Sequence, residues 1–546
     1  MMRGKRPFIP IRSAPRLYFA TPADPDRRRF LHLMGASLAL AGSGCSGPPA
    51  ESILPYVAMP EHVLPGQPSF YATTLVRRGY GYGVLVESNM GRPTKVEGNP
   101  GHPASRGATD VFAQASVLQF WDPDRSQAPW CGDEVVSWRD VEAFLLDSAS
   151  AASADGGERL RVLTGTTTSV TWMAEWQRIA QRYPGARWHR HDPLHDDGAF
   201  DAAHLAFGRP VEALLHLDRA RVVVSFAADV LGDGPAAVAY AGDFAAARRD
   251  PTRRARLYVV ETLLSLTGAN ADERLALSPA RLERLVWRLA ARLGLGEGAD
   301  IAPDAGTSGW EAALAQALVA HRGESLLVTG PSLSAETRAL VHALNELLGN
   351  AGRTVEYIAP VEFEPGRHAD SLAELCDDMH AGRVDALLIL GTNPVYDAPA
   401  DLDFGAALSK VPRAIHAGLY RDETARRCGW HLPLAHEFEH WGDARAFDGT
   451  ASVIQPVIRP LYGARSAREI LAMLGACNPR DARRARTDVG LRRGAQRARR
   501  CRNCARAGSG RVATVAAGGT ARRLGGAGAA TPGTVAAEAA RSGRRA

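Results

Sequence analysis

The chain has 546 residues, of which 45% are hydrophobic and 23% charged. That length allows roughly two to four domains, and the apolar fraction is enough for sizeable cores, so global disorder is excluded. No apolar run reaches the roughly 20 residues that a membrane-spanning helix needs, which excludes a polytopic membrane protein. The seven Cys are too few and too scattered for a disulfide scaffold.

The net charge of +6 is distributed unevenly along the chain. Residues 480–546 contain 17 Arg, three acidic residues and neither Lys nor aromatic residues, so this tail carries +14 and residues 1–479 carry −8. Folded surfaces that bind nucleic acid combine Arg with Lys and aromatic side chains. The tail has neither, and we expect no nucleic-acid partner.

The N-terminus has the pattern of an export signal. The residues that fit the twin-arginine motif, two Arg followed by Phe and Leu, are Arg27, Arg28, Phe30 and Leu31. A moderately apolar stretch at 33–42 has the size of a signal-peptide core, and Cys45, after small residues, is a candidate for lipid attachment. We expect residues 1–45 to direct export to the periplasmic face of the inner membrane. The alternative is an accidental Arg cluster in a disordered start.

Residues 46–130 predict an extended arm followed by a small β-rich module. Pro residues punctuate the arm at 51–70. Strands are predicted at 70–76, 82–88 and 94–98, with a turn before the third strand.

From about residue 159, short apolar strands alternate with helical stretches. The strand segments are 160–165, 221–226, 256–261, 325–330, 354–358 and 385–391. Continuous apolar runs of this length are typical of strands buried on both faces of a parallel sheet. We therefore predict an α/β protein with two doubly wound domains, at 131–320 and 321–478, the second of which ends in a further strand segment.

Residues 479–546 are predicted to be a disordered basic tail. Lys, aromatic residues and hydrophobic periodicity all end abruptly near residue 479, which is also typical of translation in a wrong reading frame. Ferredoxin-type Cys groups in another frame past codon 478 would support a frameshift, and their absence from both other frames would contradict it. The Cys pair of the tail, Cys501 and Cys504, is a weak metal signal without a second pair.

Two segments resemble a known enzyme family. Residues 86–107, VESNMGRPTKVEGNPGHPASRG, resemble the N-terminal module of the molybdopterin oxidoreductase (DMSO reductase) superfamily. Residues 387–394, LLILGTNP, resemble its pterin-contacting strand and loop. The resemblance implies a molybdopterin-oxidoreductase-like α/β fold, in which Glu261 and Asp272 lie on the nucleotide side of the family's cofactor.

Two later segments, 439–450 and 455–462, resemble a narrower group. Together with the export signal, they are similar to the large iron–sulfur subunit of the bacterial alternative complex III, a variant twin-arginine-translocated molybdopterin oxidoreductase. This resemblance covers about residues 27–474. It implies that iron–sulfur clusters belong to a C-terminal ferredoxin-like domain, which we expect this chain to lack.

Most of the residues that would hold a cofactor are missing. An iron–sulfur cluster takes four Cys thiolates in close sequence groups, and residues 46–130 contain no Cys. The family's molybdenum ligand is a Cys, selenocysteine, Ser or Asp, and the matching stretch 188–195 offers only Asp192. The loop with possible pterin contacts consists of Gly391, Thr392, Asn393 and Pro394. Both a vestigial pterin contact and a plain strand-to-helix turn are open for this loop.

Residues 436–440 match the H-E-x-x-H motif, in which two His on one helical face bind zinc. Pro433 just before the motif and Gly442 just after it leave little room for the long helix that such an enzyme needs. A zinc hydrolase that acts through His436 and His440 is therefore the third of three functional hypotheses.

The first hypothesis is a non-catalytic scaffold subunit of a quinol-oxidising respiratory electron-transfer complex of the alternative complex III type. We expect no cofactor in this chain under that hypothesis. The expected partners are integral membrane subunits and multihaem cytochrome subunits, as the resemblance implies. The second hypothesis is an active periplasmic molybdopterin-dependent oxidoreductase that uses Asp192 and the Gly391 loop.

Overall fold

The computed structural model describes residue 64 and residues 66–249, 254–295, 301 and 307–476. The predicted export signal with Cys45, most of the Pro-rich arm and the basic tail lie outside the described residues. Among the helices of the described part, none has both the length and the apolar character of a membrane span.

The described residues contain strands and helices in alternation. In chain order, the strands are β1 (Ser69–Arg77), β2 (Tyr80–Asn89), β3 (Arg92–Gly98), β4 (Trp130–Cys131), β5 (Glu134–Val135), β6 (Leu160–Thr164), β7 (Arg187–Arg190), β8 (Glu212–Leu215), β9 (Val222–Phe226), β10 (Arg256–Glu261), β11 (Glu273–Ala276), β12 (Ser325–Thr329), β13 (Val355–Ile358), β14 (Ala386–Leu390), β15 (Arg413–Gly418), β16 (Trp430–Pro433), β17 (Gly442–Arg445) and β18 (Ala451–Ile454). The α-helices are α1 (Val111–Trp121), α2 (Trp138–Ala154), α3 (Val170–Arg182), α4 (Asp197–Phe207), α5 (Ala237–Ala247), α6 (Leu266–Ala269), α7 (Pro279–Arg292), α8 (Ser308–Ala320), α9 (Ala335–Leu347), α10 (His368–His380), α11 (Pro394–Asp397), α12 (Phe404–Leu408), α13 (Glu423–Arg427) and α14 (Ala467–Leu474).

The β-rich module is an antiparallel sheet in the order β1–β2–β3, and its three predicted strands are confirmed. Both of its hairpin turns place two successive residues at positive φ, which is the geometry of a type I′ turn. In the first turn φ is 49° at Arg78 and 81° at Gly79. The helix α1 begins after Asp110, whose carboxylate accepts the backbone N–H of Ala113, and Phe120 of α1 is buried on the sheet.

Two sheets with mainly parallel strands form the α/β body, as predicted. The larger sheet has the order β5–β4–β16–β15–β14–β6–β7, in which β4 and β5 are added antiparallel at one edge. The smaller sheet has the order β11–β10–β9–β12 and is parallel throughout. A mixed α/β architecture with a small β-rich module is therefore the observed fold class.

The division of strands between the two sheets differs from the predicted domains 131–320 and 321–478. β6 and β7 lie before that boundary but join β14, β15 and β16 of the larger sheet. β12 lies after the boundary but pairs with β9 of the smaller sheet. Strands that are apolar on both faces carry no side-chain pattern that selects a neighbour, so their pairing cannot be derived from the local sequence.

Helices cover both faces of each parallel sheet, and alternate residues of a strand enter different cores. In the larger sheet, Leu388 packs with residues of α2, α3 and α14, whereas Leu387 and Ile389 pack with residues of α10 and α12. In the smaller sheet, Val224 faces α7, α8 and α9, and Val223 faces α5. This double coverage explains why the central strands read as continuous apolar runs.

The C-terminal segment joins the β-rich module to the body. The hairpin β17–β18 lies beside β1, where the Thr73 hydroxyl donates to the Gln455 carbonyl oxygen (2.8 Å) and accepts the Gln455 N–H (2.9 Å). Deeper in the same region, the guanidinium of Arg125 and the carboxylate of Glu439 form an ion pair of 2.6 Å. Their side chains are 1% and 0% exposed.

Candidate functional site

The loop at 391–394 lies where the strand order of the larger sheet reverses. In doubly wound sheets, ligands bind outside the carboxyl ends of the strands at this switch point. Here the switch point lies between β6 and β14, and Gly165 and Thr392 follow these strands. A Cβ atom on Gly165 would lie 3.6 Å from Cγ2 of Thr392, so the two loops are in contact.

Most polar groups of this loop form hydrogen bonds with other residues of the chain. Gly391 has φ of 68° and donates its N–H to the Ala417 carbonyl oxygen. The side-chain oxygen of Asn393 accepts the N–H and the hydroxyl of Thr424, which ties the loop to α13. Pro394 is the first residue of α11. The hydroxyl of Thr392 is the exception, because it is buried without a hydrogen-bond partner among the described residues.

A chain of buried side chains ends at the same loop. The Ser126 hydroxyl lies 2.6 Å from Nε2 of His431, whose Nδ1 lies 3.0 Å from Nδ1 of His416. Nε2 of His416 lies 3.3 Å from the Thr392 carbonyl oxygen, which can only accept. One proton arrangement therefore satisfies every contact, with His416 protonated on Nε2 and His431 on Nδ1. Burial lowers the pKa of both imidazoles, that of His431 to about 3.

Asp192 lies in the loop after β7, and its carboxylate accepts a hydrogen bond within that loop. Its Oδ1 accepts the backbone N–H of Leu194 at 3.0 Å, which is an Asx turn. Its own N–H donates to Nδ1 of His368 at 3.1 Å. The neighbouring His191 is held by Asp397, 2.9 Å from its Nε2.

A histidine–carboxylate cluster of His195, Asp197, Glu362 and His368 lies beside this loop. The two imidazole rings are stacked, with centroids 3.7 Å apart and planes inclined by 6°. Nδ1 of His195 lies 2.7 Å from Asp197 Oδ1, and its Nε2 lies 3.5 Å from Glu362 Oε1. Among the described residues, His195, Glu362 and His368 are the only three His, Cys, Asp or Glu side chains whose ligand atoms gather this closely.

The pKa values of the two imidazoles in the cluster are shifted in opposite directions. Burial alone would lower the pKa of His195, but its hydrogen bonds with Asp197 and Glu362 outweigh burial and raise it to about 9. Burial, and then the neighbouring charge of His195, lower the pKa of His368 to about 3. The His-rich run at 188–195 is the sequence signal for His195, whereas nothing in the sequence links it to residues 362 and 368.

The first turn of the β-rich module contacts loops of both parallel sheets. A Cβ atom on Gly79 would lie 2.4 Å from the Thr166 carbonyl oxygen, in the loop after β6. The guanidinium of Arg78 donates to the Leu194 carbonyl oxygen after β7 and to Asp233 after β9. The turn therefore occupies space at the carboxyl ends of both sheets, where a ligand of this fold class would lie.

The carboxylates on the predicted nucleotide side are fully engaged. Glu261 accepts the Ser265 hydroxyl (2.6 Å) and Nε of Arg274 (2.6 Å). Asp272 accepts both terminal nitrogens of Arg248, at 2.7 and 2.9 Å, and the N–H of Leu257 at 2.9 Å. Both carboxylates are therefore held by groups of the same chain.

Two of the three thiols in the described part of the chain are not placed as metal ligands. Cys376 and Cys428 are buried in one apolar core, and burial raises the pKa of these thiols to about 11 and about 12. Iron–sulfur clusters and molybdenum bind the thiolate form. Among the described residues, Glu261 and Asp272 are thus paired within the chain, and Asp192 accepts a hydrogen bond in its own loop.

The H-E-x-x-H segment lacks the helix that its zinc chemistry requires. Residues 437–439 form a turn, so the two His do not share a helical face. Glu439 accepts the backbone N–H groups of His436 and Leu461, both at 2.8 Å, besides its ion pair with Arg125. The zinc-hydrolase hypothesis is not supported by this geometry.

Comparisons with known proteins agree with the fold. No family model matches the chain. The chain is 26% identical over 443 residues to the menaquinone reductase, molybdopterin-binding-like subunit, of Nitratidesulfovibrio vulgaris. That alignment covers 72% of this chain and 63% of the relative, so the chain spans less than two thirds of the relative's length.

A comparison with a solved structure also supports the fold. The acetylene hydratase from Pelobacter acetylenicus matches with a TM-score of 0.56 at 12% identity, over 74% of this chain and 68% of that one. The fold is therefore similar to a molybdopterin oxidoreductase fold, as the sequence resemblance implies. The sequence is similar to a molybdopterin-binding-like subunit of a menaquinone reductase.

Proposed function

We propose that this chain is a non-catalytic scaffold subunit of a quinol-oxidising respiratory electron-transfer complex of the alternative complex III type. The similarity to a menaquinone reductase subunit supports a role in respiratory electron transfer. The resemblance of residues 439–462 and the twin-arginine motif support the narrower assignment. Under this proposal the chain is exported by the twin-arginine route, is lipidated at Cys45 and lies at the periplasmic face of the inner membrane.

The observation that carries the proposal is that the carboxylates expected near a cofactor already form hydrogen bonds or ion pairs within the chain. Glu261 and Asp272 are paired with Arg274 and Arg248 of the same chain, and Asp192 caps its own loop. A carboxylate that is already hydrogen-bonded and ion-paired has fewer acceptor sites left for a ligand, and its charge is already compensated. The engaged state therefore opposes cofactor binding.

Contacts between segments of the body that are far apart in sequence support a scaffold role. The buried Arg125–Glu439 pair and the Thr73–Gln455 contacts connect segments more than 300 residues apart in sequence. A rigid body with covered cores offers fixed outer surfaces to partner subunits. The proposed partners are the integral membrane and multihaem cytochrome subunits of such a complex.

The cofactor is tested by analysis of the full chain, purified from its native membrane complex. We expect neither stoichiometric molybdenum nor the fluorescence of an oxidised pterin released by denaturation. Stoichiometric molybdenum with pterin would favour an active oxidoreductase and would overturn the scaffold proposal.

A matched substitution tests catalysis separately. Asn at position 192 can still accept the Leu194 N–H, so Asp192→Asn preserves the loop but removes the carboxylate. We expect the quinol-oxidising rate of the assembled complex to be unchanged. A large loss of rate with normal assembly would identify Asp192 as a ligand or catalytic group.

A further inference from the structure

The histidine–carboxylate cluster has no role in the scaffold proposal, yet its donor atoms converge. We propose that His195, Glu362 and His368 form a binding site for a divalent transition-metal ion of the zinc type. The site differs in residues and position from the H-E-x-x-H segment, and no hydrolytic activity is attached to it.

His195 is oriented as metal-binding histidines usually are. Its Nδ1 faces Asp197 Oδ1 at 2.7 Å, which leaves Nε2 for the cation, and Glu362 Oε1 lies 3.5 Å from that Nε2. A cation at the usual 2.0–2.2 Å from both atoms subtends an angle close to tetrahedral. A carboxylate behind the metal-bound imidazole is the recurrent arrangement that fixes ring orientation.

Asp197 is itself held in place. Besides His195, its carboxylate accepts the backbone N–H groups of His368 and Ala369 at 2.9 and 3.0 Å, at the start of α10. This network positions His195 without using Glu362. Asp197 is therefore a positioning residue in the proposed site.

His368 supplies an independent indication of a ligand. The residue is 2% exposed, and its Nε2, 4.0 Å from Glu362 Oε2, has no hydrogen-bond partner in the described part of the chain. A buried nitrogen without a partner costs free energy that a bound group would offset. Because its Nδ1 accepts the Asp192 N–H and its ring is stacked parallel to that of His195, His368 must turn its ring to ligate. It is therefore the weakest of the three ligands.

The donor set and its charge favour zinc over calcium or magnesium. Two imidazole nitrogens and one carboxylate suit zinc and its neighbours, whereas calcium and magnesium prefer oxygen donors alone. Asp197 and Glu362 bring two negative charges, and the nearby Arg190 brings one positive charge. A dication is thus compatible with the local field.

The experiment is a zinc titration of the full chain against a chromophoric chelator. Cys501 and Cys504 of the tail are replaced by Ser in every sample, so that their thiolates cannot contribute to zinc binding. We expect one zinc per chain in this background. The absence of stoichiometric binding at micromolar concentrations of protein would overturn the proposal.

Substitutions assign the ligands. His195→Ala and Glu362→Gln are expected to abolish stoichiometric binding, and Asp197→Asn to weaken it about ten- to a hundredfold. His368→Ala is expected to weaken it less than His195→Ala does. Exposed residues serve as matched controls, with His204→Ala for the imidazoles and Glu336→Gln for the carboxylate, and neither should change the affinity.

Two further readouts keep the test decisive. Near-ultraviolet circular dichroism identifies a variant that has not folded, and Glu362→Gln, which keeps the size of the side chain, then replaces His195→Ala. Cobalt in place of zinc should give tetrahedral d–d bands without a thiolate charge-transfer band. Unchanged zinc affinity in Glu362→Gln, or a thiolate band, would overturn the assignment. Because molybdenum is measured separately, failure here leaves the scaffold proposal intact.

Discussion

Breaking the buried Arg125–Glu439 pair should destabilise the protein strongly. Glu439→Gln keeps the shape of the side chain but leaves the Arg125 guanidinium buried without its counter-charge. The exposed fractions of 1% and 0% exclude rescue of either group by water. Removal of one partner of such a pair costs about 3–5 kcal/mol, and loss of the carboxylate also weakens the acceptor of the Leu461 N–H.

The double variant separates charge from packing. In Arg125→Met/Glu439→Gln no buried charge remains, so much of the lost stability should return, since replacing both partners of a buried pair is often close to neutral. The measurement is the urea dependence of tryptophan fluorescence and of protease resistance. The control is Glu374→Gln in the half-exposed Arg187–Glu374 pair, which should change stability by less than about 1 kcal/mol. A Glu439→Gln variant as stable as this control would refute the reasoning.

Two further predictions concern protonation. In ¹⁵N-histidine spectra at pH 8, His431 should be protonated on Nδ1 and His416 on Nε2, and His431 should stay neutral at pH 6; the opposite tautomers, or an imidazolium signal from His431 at pH 6, would contradict this chain of contacts. Burial raises the pKa of Glu212 from 4.5 to about 7, so the folded state holds this proton more tightly than the unfolded chain does. The free energy of unfolding should therefore fall as the pH rises from about 4.5 to 7. Glu212→Gln should flatten that part of the stability profile, and an unchanged slope would exclude Glu212 as its source.

Local sequence patterns predict the elements of this fold better than their assembly. The alternation and turn residues of 70–98 identify three strands, because strand alternation and hairpin turns depend on residues close together in sequence. The apolar runs at β6 and β14 identify strands too, but their pairing across more than 200 residues depends on the packed helices and leaves no local trace. The predicted domain division differs from the observed sheets for this reason.

The same limit applies to the candidate site. Gly391 and Thr392 can be assigned to a strand end from sequence, and the structure places them at the switch point. His195 meets Glu362 and His368 only through the fold, since these residues lie on loops and a helix start far apart in sequence. The H-E-x-x-H motif shows the opposite case, in which the sequence suggests a site that the fold does not form. The spacing of its residues matches a zinc site, but the chain forms a turn there and not a helix.

Under the scaffold proposal, the pairing of polar groups within the chain also bears on how the body stays folded without a cofactor. A protein that binds a ligand only in its folded state gains stability from that ligand, and loses it when the ligand is absent. Here Glu261 has Ser265 and Arg274, and Asp272 has Arg248, so these carboxylates are already paired with groups of the same chain. Under the scaffold proposal, we therefore expect folding of the body not to depend on cofactor loading. A scaffold subunit of the proposed kind would keep the shape that its partners recognise without carrying out the chemistry of the fold.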